Sequence, residues 1–305
     1  MTRPRPSLSA SLRRHGFRGM LLPGEPLAPY TTWQMGGPAE LLAVPLHRQD
    51  LILALEWAAE RGIPWRVLGN GSNLLIRDEG VRGLVLRVRK VLDRMEVAEE
   101  GRLAVGAGAS YPALARLAAA RGLSGLEFAA GIPGTVGGAV VMNAGWHEHE
   151  TGDVVERVDY LEADGRVRSY ARQECGFGYR QSVFRRRRGV VLGATFALPA
   201  DDPARVEAAL AAYAAARKQS QPVDQATCGS VYFKPPGDFA GRLIEAAGLK
   251  GLQVGGLRVS AKHANFLVNL GHGRARDAIL LMERIETAVR ERFGVNLVRE
   301  VEIWE

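Results

Sequence analysis

Two glycine-rich stretches hold the residues best suited to ligand chemistry in this 305-residue chain. The longer, Glu127 to Gly145, sets Gly131, Gly134, Gly137, Gly138 and Gly145 among apolar residues, with Gly131-Ile132-Pro133-Gly134-Thr135 at its centre. Glycine turns with φ > 0 and lets a ligand approach the backbone closely. Without a run of lysines, such main chain suits N–H groups that cradle a diphosphate. The shorter, Leu68-Gly69-Asn70-Gly71-Ser72-Asn73-Leu74-Leu75, follows the strand-like Trp65 to Leu68. Two phosphate-type loops in one chain suggest one large cofactor. Gly-Ile-Pro-Gly and Gly-Asn-Gly are also ordinary turn sequences, and taken singly each loop remains open to that reading. Neither fits the strand-Gly-x-Gly-x-x-Gly-helix fingerprint, and no Gly-Lys-Ser/Thr occurs, so Rossmann and P-loop readings are disfavoured.

Other chemistry is sparse. His147 and His149, interleaved with Glu148 and Glu150, hint at a metal, but no third ligand stands at helical spacing, so no metal is expected. Cys175 and Cys228 are the only cysteines and form no Cys-x-x-Cys, which points to free thiols. The net charge of +7 invites a nucleic-acid reading, yet aromatics are only 7% and no binding motif accompanies the basic residues, so no nucleic acid is expected. Of the 40 basic residues only Lys90, Lys218, Lys234, Lys250 and Lys262 are lysine. Arginine's planar fork suits phosphate and carboxylate groups. The Arg185–Arg188 run reads as a solvated loop.

Five blocks in order resemble the UDP-N-acetylenolpyruvoylglucosamine reductase family, in its shorter (type II) branch. They are the two glycine loops, Gly178-Tyr179-Arg180-Gln181-Ser182, Cys228-Gly229-Ser230-Val231-Tyr232-Phe233-Lys234-Pro235, and Arg299-Glu300-Val301, spanning about Tyr30 to Glu302. The stretch from Tyr179 to Arg217 is too short for the tyrosine-bearing substrate loop of the longer branch. Gln34 also departs from the family, where a basic residue is more frequent, and is left out of the cofactor residues.

The resemblance implies an FAD enzyme that uses NADPH to reduce the enolpyruvyl ether of UDP-N-acetylglucosamine to the lactyl ether of UDP-N-acetylmuramate, a step of peptidoglycan precursor synthesis. Hydride reaches the vinyl carbon, negative charge builds on the enol carboxylate, and the adjacent carbon takes a proton. That chemistry needs a cation and a proton donor beside the flavin. The resemblance assigns FAD to Gly69, Asn70, Gly71, Ser72, Asn73, Gly131, Ile132, Pro133, Gly134, Thr135, Gly137, Gly138 and Asn143. It makes Arg180 the carboxylate-binding cation, Ser230 the proton donor and Glu300 the acid that polarises the carboxylate, with Glu302 as a control. Lys218 and Lys262 become candidates for the substrate diphosphate. Read as residues alone, Arg180 fits a surface ion pair, Ser230 a glycine turn, Glu300 a solvated edge strand, and the lysines solvated ends. Two other functions compete: a related FAD oxidoreductase with another substrate, and a non-catalytic nucleotide-sugar or nucleic-acid binder.

The elements that must position these residues read as follows. At 305 residues more than one domain is expected, and 47% hydrophobic with 24% charged residues is the balance of a soluble protein. No run of about 18 apolar residues occurs, so no membrane insertion is expected. The basic start, with Arg13-Arg14, lacks the apolar stretch of a signal peptide, and a cytoplasmic monomer is expected. Strand-like Leu41 to Val44, a helix from Asp50 to Glu60 with Asp50 as N-cap, and strand-like Leu84 to Val88 flank the first loop. A helix from Tyr111 to Arg121 opens with Ser110 and stops at Gly122. Val154 to Glu162 and Val167 to Tyr170 form a hairpin through Ala-Asp-Gly. Helices are expected over Pro203 to Lys218, Phe239 to Ala247 and Ala275 to Phe293, the last with an apolar stripe Ala278, Met282, Ile285, Val289, Phe293. In a closing strand Asn296 to Trp304, alternation puts Glu300, Glu302 and Trp304 on one face. The expected fold class is α+β. The resemblance implies two FAD-binding subdomains of the vanillyl-alcohol-oxidase-like type, residues 1–87 and 88–216, and a C-terminal α+β substrate-binding domain, residues 217–305.

Overall fold

A computed structural model describes residues 7–305. They fall into two compact units: the first takes residues up to Pro23, Leu41–Asn70 and Gly83–Ala215, and the second takes Gly24–Glu40, Gly71–Arg82 and Ala216–Glu305. Each unit is built from separated pieces of chain.

In the first unit, a four-stranded sheet runs in the order Met20–Pro26, Pro38–Val44, Val81–Arg87, Trp65–Leu68, the last two strands parallel. The Arg48–Glu60 helix buries Leu51, Ala54, Leu55, Trp57 and Ala58. Asp50 is not its N-cap, as the sequence suggested. His47 occupies that position, and Asp50 stands at the third helical residue, where its carboxylate accepts from the amides of Arg18, Leu46 and His47 at 2.8, 2.8 and 3.2 Å. Burial alone raises the pKa of such a carboxyl, but these three donors outweigh it and hold Asp50 below the usual range.

A five-stranded antiparallel sheet follows, in the order Val167–Ala171, Val155–Glu162, Gly189–Ala197, Arg102–Gly106, Met95–Val97. The expected hairpin forms, with Leu161 opposite Val167 and Gly165 at φ 82°. The Tyr111–Ala119 and Val136–Met142 helices pack with this sheet around Tyr111, Phe128, Val140, Tyr160, Tyr170 and Phe196. Leu161, Val190 and Leu192 also join Leu41, Trp57 and Leu84 in a second cluster, so the two sheets share apolar core within one compact unit.

The second unit pairs Leu74–Ile76 in parallel with Glu302–Trp304 and adds a three-stranded antiparallel sheet, Gln253–Val254, Leu257–Val259, Leu267–Asn269. Its helices are Ala240–Ala246 and Ala275–Phe293. The long helix buries Ala278, Met282, Ile285 and Val289 as its periodicity requires, while Phe293 is half-buried. The carboxylate of Asp78 receives the amides of Ala275 and Arg276 at 2.9 and 3.1 Å, satisfying donors that a helix start leaves open. The closing strand is shorter than expected, only Glu302–Trp304, so simple alternation fails before it: Glu300 and Trp304 are buried and Glu302 is exposed. Among the described residues, no helix is long and apolar enough to cross a membrane. The Pro203–Ser220 helix carries the chain from the first unit to the second.

Candidate active site

The two glycine loops meet in the first unit. A Cβ added to Gly69 would lie 2.6 Å from Thr135 Oγ1, a distance that no alanine tolerates without movement. Thr135 caps the Val136–Met142 helix, its hydroxyl accepting from the Gly138 amide at 3.3 Å. The amides of Gly69 and Asn70 in one loop, and of Gly131, Gly134 and Thr135 in the other, donate to no atom of the described residues. Main-chain N–H groups left open on glycine turns form an anion cradle, and these residues fit the diphosphate of FAD. The remaining glycines differ in purpose. At Gly137 a Cβ would sit 2.9 Å from the Ala107 Cβ, so its absence serves helix packing, whereas exposed Gly138 would meet only Thr135 Oγ1, at 3.6 Å. Ile132 is buried in the core cluster and Pro133 is exposed.

Asn143 has another task. Ending the same helix at φ 44°, it donates through Nδ2 to Glu150 and the Gly178 carbonyl at 2.6 and 2.9 Å and accepts from the Gly152 amide at 2.7 Å. Its side chain is committed to the protein and ties the glycine-loop helix to the turn that carries Arg180. In that turn Gly178 and Gln181 exchange main-chain bonds at 3.1 and 2.9 Å, and the Ser182 hydroxyl donates to the Val141 carbonyl at 2.7 Å. Arg180 lies between them at φ 52°, a conformation few non-glycine residues adopt, and donates through Nη2 to the Gly145 carbonyl at 3.0 Å. Such local strain persists where surroundings over-determine it, commonly at functional positions.

In the second unit Ser230 and Glu300 stand on neighbouring segments. Ser230, half-buried, follows Gly229 at φ 82° and bridges to Phe266. The Glu300 amide donates to the Val231 carbonyl at 2.8 Å, and Glu300 is only 9% exposed, which removes the solvated-edge reading and separates it from exposed Glu302. The first glycine loop continues into this unit. Gly71, at φ 59°, would place a Cβ 2.7 Å from the Tyr30 carbonyl. Asn73 donates through Nδ2 to the Glu300 carbonyl at 3.1 Å, so the end of a loop expected to bind the cofactor also holds the acid-bearing segment. Burial, reinforced by Glu300, pushes the Cys228 thiol far up, leaving it protonated and inert.

Lys218 and Lys262 are also brought together: Lys262 Nζ donates to the Lys218 carbonyl at 3.0 Å. Lys262 lines a groove of about 280 Å³ with Pro222, Asp224, Gln225, Arg258, Ser260 and Ala261. Arg258, exposed between buried Leu257 and Val259, adds a second cation to this groove that no sequence motif marks. The His147 ring lies tilted at 45° against Trp146 and that of His149 stacks on Phe128, with centroids 4.3 and 5.9 Å apart. Among the described residues no three His, Cys, Asp or Glu are grouped to hold a metal.

Comparison with known proteins agrees with this geometry. Residues 39–170 match an FAD binding domain, and residues 221–304 match the C-terminal domain of UDP-N-acetylenolpyruvoylglucosamine reductase. The reductase of Rubrobacter xylanophilus is 49% identical over 280 residues, 92% of this chain and 93% of its own length. That of Moorella thermoacetica is 44% identical over 289 residues, 95% of each. The crystal structure of the Thermus caldophilus reductase superimposes with a TM-score of 0.80 at 40% identity, covering 95% of this chain and all of the other. With an α+β FAD-binding domain, a matching C-terminal domain and relatives this similar across nearly its whole length, the chain belongs to the UDP-N-acetylenolpyruvoylglucosamine reductase family.

Proposed function

We propose that this enzyme reduces UDP-N-acetylglucosamine enolpyruvate to UDP-N-acetylmuramate with electrons from NADPH. When bound, FAD would supply the hydride-transfer chemistry that links NADPH to the vinyl carbon. The amides of Gly69, Asn70, Gly131, Gly134 and Thr135 would hold its diphosphate, and the joining of the two loops at Gly69 and Thr135 is the observation that carries this reading. Arg180 presents a permanent positive fork to the substrate carboxylate, where charge grows as the enolate forms. Glu300, buried on its segment, polarises the same carboxylate. The Ser230 hydroxyl gives its proton to the carbon beside the carboxylate, and the two events together saturate the double bond. Lys218 and Lys262 neutralise the diphosphate of the nucleotide sugar; their mutual contact and the adjoining groove support that role.

We divide the chain into FAD-binding subdomains at residues 1–87 and 88–216 and a substrate domain at 217–305; core clusters that include Trp57, Tyr160 and Met282 lie chiefly in these three in turn, with Leu161, Val190 and Leu192 joining the first cluster and Trp33, Met35 and Leu75 the last. The reaction belongs to cell-wall precursor synthesis, and hence to cell shape and division. We place it in the cytoplasm because its nucleotide-sugar and NADPH substrates are soluble metabolites, and we read the enzyme as a monomer because one chain carries every residue named. The test is direct. Purified protein should be yellow, and it should oxidise NADPH when the enolpyruvyl nucleotide sugar is added. Colourless protein that cannot be reconstituted with FAD overturns the proposal. A reduced flavin that reacts with other acceptors but not with this one points to a different FAD-linked oxidoreductase.

A further inference from the structure

The segment from Ser230 to Phe233 has an irregular main chain. Val231 donates its N–H to the Asn265 carbonyl at 2.9 Å on one side, while its C=O accepts from the Glu300 amide at 2.8 Å on the other. A regular antiparallel residue turns both groups toward the same neighbour. The irregularity leaves the peptide groups of Tyr232 without a main-chain partner opposite Asn265, and the Asn265 side chain fills the gap. Its Oδ1 accepts from the Tyr232 amide at 3.0 Å and its Nδ2 donates to the Tyr232 carbonyl at 2.9 Å. The amide side chain thus stands in for a strand residue. It is itself fixed, because its main-chain N–H donates to His263 Nδ1 at 3.2 Å and it is only 7% exposed. On the far side, Tyr232 bridges Arg299, whose guanidinium is held by Glu286 at 2.5 and 2.9 Å.

We infer that Asn265 is a positioning residue that sets the Ser230 hydroxyl and the Glu300 carboxyl in register through the Tyr232 peptide groups it clamps. The inference rests on the proposed roles of Ser230 and Glu300. Of the five hydrogen bonds that fix the main-chain groups of Val231 and Tyr232 between their two neighbours, the Val231 carbonyl taking both the Glu300 and the Val301 amide, two end on this one side chain. No other residue type offers a donor and an acceptor in that fork at that length: aspartate lacks the donor, glutamine is a methylene too long, and leucine has neither. Loss of the clamp lets the segment between Ser230 and Glu300 relax toward a regular strand, which moves the proton donor relative to the acid. Misplacement of about 1 Å is enough to slow chemistry about 100-fold.

The experiment is transient kinetics on the FAD-loaded enzyme with Asn265→Asp, beside Asn265→Ala. Reduction of the flavin by NADPH should stay within about twofold of the parent, and reoxidation by the enolpyruvyl nucleotide sugar should slow by about 10-fold to 100-fold. Equal slowing of both half-reactions, or reoxidation at the parent rate, overturns the inference. In the same series Ser230→Ala and Glu300→Gln must slow reoxidation; if they do not, the assignment of the site itself fails, and the inference with it. Hydrogen exchange on the unmodified, flavin-free protein gives an independent reading that does not depend on any variant folding. The Tyr232 amide should be protected as well as the Val231 and Phe233 amides, and rapid exchange at Tyr232 alone overturns the clamp.

Discussion

The glycine segment of the first unit and the Ser230–Glu300 region of the second solve the problem of building a site in opposite ways. Around Gly69 and Thr135 the ligand-facing groups are main-chain amides, and what matters is the absence of side chains. Around Ser230 and Glu300 they are side chains, and what matters is which other side chains hold the backbone beneath them, namely Asn73 and Asn265. A main-chain cradle is vulnerable to one added carbon. A side-chain constellation is vulnerable to the loss of one hydroxyl or one amide some distance away.

The largest effect should come from removing the proton donor. Ser230→Ala should lower substrate-dependent flavin reoxidation by about 10²–10⁴-fold while leaving reduction by NADPH intact; stopped-flow absorbance separates the two, and equal losses would break the division of labour between the regions. Next comes the contrast of two carboxylates. Glu300→Gln should slow reoxidation by about 10-fold or more, whereas Glu302→Gln, exposed on the closing strand, should behave as the parent in the same assay. A large effect at Glu302 would show that burial is not what selects the acid.

The cradle is tested by a single carbon. Gly69→Ala adds a Cβ 2.6 Å from Thr135 Oγ1 where the two loops meet, so the protein should retain less FAD after purification and melt lower, with destabilisation of about 1 kcal/mol or more. Flavin content and melting point equal to the parent would show that the loop yields and that glycine is dispensable there. The smallest effect belongs to His263. Burial, and then the Lys250 charge, hold its pKa below the ordinary value, so the folded state favours the neutral ring, consistent with Nδ1 accepting from Asn265. As pH falls below the unfolded value of about 6.5, the unfolded chain takes up the proton first, and the stability present above that pH is progressively lost. Urea melts across this window should show a weaker pH dependence for His263→Gln than for the parent; identical slopes would remove His263 from the support of Asn265.

Much of this was legible in the sequence. The stripe Ala278, Met282, Ile285, Val289 follows from helical period and is buried as read, because periodicity records a face that one element presents to a core. The Ala-Asp-Gly hairpin and the glycine stops follow from local backbone chemistry. Motif resemblance supplied Arg180, Ser230 and Glu300, though nothing in their spacing gave them roles. Asp50 was misread as a cap because the preference for aspartate at helix starts does not say which of the first positions it fills; that was set by amides of Arg18, Leu46 and His47, the first of them 32 residues away in the chain. The alternation of Glu300, Glu302 and Trp304 failed because pairing with Leu74–Ile76 starts only at Glu302.

By itself, then, the amino-acid order determined the helices with strong apolar period, the glycine loops that backbone sterics require, and the family to which these motifs belong. Only the tertiary structure decided which loop amides stay open, that Gly69 abuts Thr135, that Asn73 and Asn265 support the Ser230–Glu300 region, and that Asn143 serves the Arg180 turn. The physical reason is range: turns, caps and periodicity are settled within a few residues, whereas an uncommitted amide or a clamping side chain is defined by partners that only long-range packing brings within 3 Å.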